Sequence, residues 1–395
     1  MTDQPTQHRI ARQVAGARLS AIKEMSMLAA EVDDVASLSW GLPSFATPEP
    51  IREAVTRALA SDPDIGKYAL PNGLPELRSL ASVEHARKTG VRVDPDEHVF
   101  ITAGNMQGMS TLFHVLLEPG DEIILTDPGF ASHYEQIRLH GGVPIAWPLD
   151  EGNAWAMDTG LLENLITERT RAVVLVNPSN PTGCLFSKQT LLRLGEIARA
   201  RDLLLIVDDP YSELIYADRE RYFNLAADSG LSDRLAYLFT FSKIHAMSGW
   251  RLGYMILPDW LRAQVLKVHD ANLICAPRIS QVAGIAALSG DQAHVGVFRE
   301  ILAKRRELIC DRLDALPHVF DYVRPEGAYY VFPRILVEAE DSWSFSRRLL
   351  EEIRVCVTPG IAFGPGSDAH VRMAFCVDED VIDKAFDRIA ARYPA

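Results

Sequence analysis

Cysteine is scarce in this chain, long apolar runs are missing, and positive charge is in deficit; each shortage removes a class of function. Five cysteines, Cys184, Cys275, Cys310, Cys356 and Cys376, are scattered over 395 residues without a C-x-x-C pair. That pattern offers neither a disulfide framework nor a zinc site, and it fits a reducing compartment, so a cytoplasmic protein without a metal is expected. No stretch approaches the roughly 18 consecutive apolar residues that a spanning helix needs. Met1 to Gly16 is polar and mixed in charge, unlike a signal peptide, and reads as a flexible arm. Lysine and arginine number 40 against 53 aspartates and glutamates, a net charge of −13. That balance argues against nucleic acid or an anionic membrane as partner. No internal repeat or low-complexity tract occurs, and no G-x-G-x-x-G follows the first expected strand, which counts against a plain dinucleotide-binding dehydrogenase. The remaining composition, 48% hydrophobic and 24% charged, is that of a globular protein with room for two or three domains.

What is present is an alternation of short apolar strands and amphipathic helices. Leu19 to Ala30 and Ile51 to Ala60 read as helices. Between them the turn-rich stretch Leu38 to Pro48 carries Trp40, Gly41 and Pro43. From Val99 onward strands lead into helices: Val99 to Thr102 into Gln107 to Leu117, and Glu122 to Leu125 into Phe130 to His140. The first of these passes through Ala103-Gly104-Asn105-Met106, where a glycine turn and a helix start aim backbone N–H groups at an anion. Arg171 to Val176 and Leu203 to Val207 are almost unbroken apolar runs, as expected of strands buried on both faces of a parallel sheet. Ser187 opens a helix whose Leu191, Leu194 and Ile197 share a face.

Chemistry gathers where these strands end. Asn177-Pro178-Ser179-Asn180-Pro181-Thr182-Gly183 fixes the backbone tightly around an amide that can bond a phenol or a carboxylate. Asp208-Asp209-Pro210-Tyr211 puts a carboxylate at the end of a buried strand, where it needs a cationic or hydrogen-bonding partner unless it merely caps a helix. The apolar run Leu235 to Phe239 leads into Thr240-Phe241-Ser242-Lys243, and Gly249-Trp250-Arg251-Leu252-Gly253 leads out. A lysine at the mouth of a buried strand suits Schiff-base chemistry, because an ammonium in a partly dry site gives up its proton more readily. Past Pro258 the pattern turns helical (Trp260 to Asp270, then Pro277 to Leu316), and strands are expected from Gly327 to Phe332 and from His370 to Phe375.

Together the Lys243 segment, the Asn180 and Asp208 motifs, Gly41-x-Pro43-x-Phe45, the Tyr68 to Arg78 stretch and the Val371-Arg372 pair resemble the class I/II aminotransferases, in order from about Ser39 to Cys376. The resemblance implies a fold type I pyridoxal 5′-phosphate (PLP) enzyme: a mostly parallel central sheet flanked by helices, plus a smaller α+β domain. Residues 48–280 would form the large domain, and 1–47, as arm and part of the small domain, would join 281–395. Lys243 would form the Schiff base and then act as the base that shuttles the Cα proton. Asp208 would hold the pyridine nitrogen protonated, and Tyr211 and Asn180 would bond the ring oxygen. Phe130 would cover the ring, and Gly104, Asn105, Met106, Thr240 and Arg251 would hold the cofactor at its phosphate end. Tyr68 would reach the phosphate of a neighbouring subunit in a homodimer, although it reads equally well as a half-buried loop aromatic. Arg372 and Asn180 would take the substrate carboxylate beside Gly41 and Trp40. The family shows Asp-Glu-x-Tyr where this chain has Asp208-Asp209-Pro210-Tyr211. Several aspartate-preferring relatives carry lysine where Met106 stands. With Trp40 and Ile22 nearby, an apolar pocket for a large neutral or aromatic amino donor is therefore expected, with a 2-oxo acid as acceptor. Elimination, cyclisation or decarboxylation on the same scaffold stays open. A non-catalytic effector-sensing domain is less favoured, since no basic recognition helix precedes residue 48.

Overall fold

The computed structural model describes residues 10–17, 19–337 and 341–395; the first nine residues of the expected arm lie outside them. Eight strands form the main sheet, in the order Val99–Thr102, Gly253–Ile256, Leu235–Thr240, Leu204–Asp209, Thr170–Val176, Glu122–Asp127, Val143–Asp150, Ala156–Met157. The five from Leu235–Thr240 to Val143–Asp150 are mutually parallel. Gly253–Ile256 runs against both its neighbours, and Ala156–Met157 is a short antiparallel edge.

Period-two alternation explains why these strands read as unbroken apolar runs. Val173, Leu175, Leu205, Val207, Tyr237 and Phe239 point into one core, and Ala172, Val174, Leu204, Ile206, Ala236 and Leu238 into the other. Helices Asn105–Leu116, Ala131–Leu139 and Asp259–Leu273 cover the second face through Leu112, Phe113, Ile137 and Val265. Helices Pro75–Thr89, Lys188–Ala200 and Arg278–Ser289 cover the first. Ser187 caps Lys188–Ala200, its hydroxyl accepting the Thr190 N–H at 3.1 Å.

Around the C-terminus lies a smaller assembly. Val371–Ala374 runs antiparallel between Tyr330–Val331 and Thr358–Pro359. The N-terminal strand Ala36–Ser37 pairs in parallel with Val355–Cys356, so the two ends of the chain meet. Helices Ser342–Ile353 and Glu379–Arg392 flank this region. The strand expected over Gly327 to Phe332 narrows to Tyr330–Val331, because Ala328 takes a positive φ of 56° that breaks extended pairing. Within the arm, Arg12–Gly16 forms a single exposed helical turn.

Candidate active site

The parallel strands deliver Thr240, Asp208 and Val176 to one edge of the sheet, where the chain leaves each strand in a loop. Those loops enclose a cavity of about 180 Å³, lined among others by Asn105, Met106, Phe130, Asn180, Asp208, Tyr211, Thr240, Lys243 and Arg251. Nine of the residues singled out from sequence thus converge on one space.

At its floor Asp208 caps no helix. Its Oδ1 accepts the Asn105 amide at 2.6 Å, and its Oδ2 stands 3.3 Å from Nε2 of His133. The neighbouring Asp209 takes up the loop instead, accepting the Ser212 N–H at 3.0 Å. His133 lies three residues beyond Phe130 and edge-on to its ring, with centroids 5.1 Å apart. Sequence reading did not single out His133.

At one end of the cavity Gly104 caps helix Asn105–Leu116 with φ +77°. A Cβ there would stand 2.5 Å from the Arg251 guanidinium, so only glycine lets Arg251 cross the helix start. Arg251 itself adopts φ +51° and donates to the Ser248 carbonyl at 2.8 Å. The Thr240 and Ser242 hydroxyls are 2.9 Å apart beside it. First-turn N–H groups, two hydroxyls and a guanidinium make a cradle for a phosphate. Ser242 also escaped the sequence reading, although its place one residue before Lys243 was a usable signal.

Lys243 Nζ donates to the Gly41 carbonyl at 3.1 Å. Gly41 also accepts the Tyr329 hydroxyl at 3.1 Å, and a Cβ on it would overlap the Tyr330 hydroxyl. Tyr330, likewise unread in the sequence, meets Tyr211 oxygen to oxygen at 3.1 Å. Burial, and then the Tyr330 hydroxyl, push the Tyr211 phenol well above its ordinary pKa, against the pull of Arg372; it is a neutral donor at physiological pH.

Arg372 is 2% exposed. It donates from Nη1 to Asn180 Oδ1 at 3.2 Å and from Nη2 to the Ser39 carbonyl at 2.5 Å. Tyr330 and Phe363 sandwich it at 4.4 and 4.9 Å. Its Nε is buried without a partner. A guanidinium buried among neutral oxygens, with an N–H unused, suits a carboxylate ligand.

Three expected residues stand elsewhere in the single chain. Tyr68 is 74% exposed and does not line the cavity. Trp40 is half exposed with the Lys23 ammonium 4.8 Å over its ring, and Ile22 packs into the core. No group of three or more potential metal-ligating side chains occurs among the described residues.

The donor set fits a flat, protonatable heterocycle that carries a phosphate. A carboxylate, an anion cradle and a primary amine line one cavity, and the orphaned, buried Oδ1 of Asn105 adds an unused acceptor. Comparison with known proteins agrees. The family of class I and II aminotransferases matches residues 33–389. An aspartate aminotransferase from Pyrococcus abyssi is 32% identical over 94% of each chain. Aromatic-amino-acid aminotransferase 2 from Thermococcus litoralis is 31% identical, again over 94% of each. Among solved structures, a tetra mutant of Thermus thermophilus aspartate aminotransferase complexed with tryptophan superposes with a TM-score of 0.91 at 32% identity, covering 97% of this chain and 99% of that one.

Proposed function

The chain belongs to the class I and II aminotransferases, PLP-dependent enzymes of fold type I, and from that premise we propose that it moves the amino group of a large neutral or aromatic L-amino acid to a 2-oxo acid such as 2-oxoglutarate or pyruvate. When bound, PLP supplies an aldehyde that captures the amine and a ring that accepts the electrons released at Cα.

The chain's own residues do the rest. Lys243 would take the proton from Cα and hold it on its amine for return. Asp208, fixed by Asn105 and His133, keeps a proton on the ring nitrogen. Tyr211, neutral at physiological pH, donates to the ring oxygen together with Asn180. Phe130 lies against the ring. Gly104, Asn105 and Met106 at the helix start, with Thr240, Ser242 and Arg251, bind the phosphate. Arg372 and Asn180 take the α-carboxylate, with Gly41 bordering the substrate. The enzyme works as a homodimer in which Tyr68 of the partner subunit completes the phosphate site, a role its exposure leaves it free to play. Residues 48–280 form the large domain, and the described residues among 1–47, as arm and part of the small domain, join those among 281–395, supported by the pairing of Ala36–Ser37 with Val355–Cys356. Five free, buried cysteines fit a reducing cytoplasm.

The observation that carries the donor class is Met106. Its thioether stands at the helix start, and the two Lys/Arg residues lining the cavity, Lys243 and Arg251, both have work on the cofactor. Among the described residues of the single chain, a side-chain carboxylate would therefore find no further Lys or Arg lining this cavity to pair with. The test adds tyrosine, methionine, leucine and aspartate singly to the holoenzyme and follows the cofactor absorbance, then restores it with 2-oxoglutarate or pyruvate. Faster conversion by the neutral donors is expected. Release of ammonia or carbon dioxide without restoration would sink transamination, and faster conversion by aspartate would sink the donor assignment. Met106→Lys should raise aspartate turnover by about tenfold, the worth of one charge-assisted hydrogen bond.

A further inference from the structure

The turn after the Glu122–Asp127 strand and the loop from 360 to 367 lie far apart in sequence, yet one carboxylate ties them together. Asp127 is 6% exposed. Its Oδ2 accepts the Gly366 N–H at 2.9 Å and its Oδ1 the Ser367 hydroxyl at 3.1 Å. Two residues on, the Gly129 N–H reaches the Phe363 carbonyl at 2.7 Å. Apart from Ser367, the loop meets the carboxylate with glycines. A Cβ on Gly364 would overlap Asp127 Oδ1, and one on Gly366 would stand 3.0 Å from Oδ2. An ionised carboxylate presents an acceptor oxygen to each of the two donors, so both bonds are charge-assisted. Burying it has a cost, since burial pushes its pKa above the usual carboxylate range.

Both sides of this junction lead to the active site. Phe130, three residues after Asp127, lines the cavity. Phe363, next to the loop's glycines, stacks under the Arg372 guanidinium. Asp127 does not line the cavity, so any influence on the reaction passes through these two aromatic rings. We infer that Asp127 is a positioning residue: it holds the Phe363–Ser367 loop against the turn that carries Phe130 and so fixes the Arg372 carboxylate clamp relative to the cofactor ring. This rests on the roles given above to Arg372 and Phe130.

The test uses the holoenzyme and a carboxylate that cannot react, whichever of 3-phenylpropionate and maleate the unaltered enzyme binds more tightly. Asp127→Asn removes the charge and one of the two acceptor oxygens. It should weaken the analogue by about tenfold and raise the donor KM to match, while kcat and cofactor affinity stay within about twofold. Ser367→Ala removes one bond and should show the same pattern at about threefold, which decides the matter if Asp127→Asn does not fold. A merely structural role predicts parallel losses of cofactor and analogue affinity. That result, or an analogue affinity left unchanged, overturns the inference. Arg372→Lys in the same assay separates the premises. If it leaves analogue binding intact, the clamp assignment falls and this inference with it; if it weakens binding while the Asp127 and Ser367 variants do not, only the role of Asp127 falls.

Discussion

Asp208 shows how much of a site a single side chain can reveal and how much it conceals. Its place at the end of the buried run Leu203 to Val207 demanded a partner, and the sequence supplied the demand without naming all who meet it. Asn105 was legible as a phosphate-end residue, because it follows a glycine at a helix start, but not as the partner of this carboxylate. His133 was not, since a histidine one turn into a helix has no pattern of its own. The sheet order alone sets its ring against a carboxylate two strands away. His133→Asn should cut kcat by about tenfold with the cofactor still bound, as loss of one hydrogen bond to a charged group implies; steady-state rates alongside the cofactor absorbance check both halves. Lys243→Ala should cost about a thousandfold or more in turnover, because it removes the proton carrier itself. A variant that kept even a tenth of the activity would reassign that proton to another group.

At the level of elements, the helix Asn105–Leu116 and the Arg251 turn meet at Gly104, the common constraint of the proposed phosphate site. Gly104→Ala forces an L side chain into φ +77° and against the guanidinium. It should cost about 1–2 kcal/mol of stability and lower cofactor affinity, read by thermal melting with and without PLP. An equal loss in both melts would mean that Arg251 is not part of the phosphate site. The glycine turn was visible in sequence because its conformational demand is local. Helix Pro75–Thr89 went unread for the opposite reason. It buries Arg78, His85 and Thr89 together with Leu77 and Ala81, so no apolar stripe stands out against a polar one. Tyr330 was passed over because its strand is only two residues long and its importance lies in what it touches, Tyr211 and Arg372.

Across the whole molecule, buried histidines contribute to the response to acid. Burial, and then Lys88, lower His85 to about 4; burial, and then His294, lower His245 to about 3. Below the ordinary histidine value of 6.5 the unfolded chain therefore binds protons that the folded one refuses. Their contribution to stability is complete above pH 6.5 and drains away as the pH falls toward 4, at about 1.4 kcal/mol per pH unit for each histidine. His85→Phe keeps the ring against Tyr237 and gives up an Nδ1 that has no partner. Denaturant titrations at pH 7 and pH 4.5 should show a shallower loss of stability in this variant, and an unchanged slope would place the acid sensitivity elsewhere. The parallel core of the molecule was readable from its apolar runs, whereas its edge was not: nothing local says that Val99–Thr102 lies beside Gly253–Ile256. That pairing has a consequence for the nascent chain. Val99–Thr102 stands at the rim of the sheet with Gly253–Ile256 as its one strand neighbour among the described residues. During translation it must wait, unpaired, while some hundred and fifty further residues are made. Gly104 meets Arg251 only when that late strand slots into place, so the proposed cradle for the vitamin-derived cofactor is complete only in a polypeptide whose sheet has already closed.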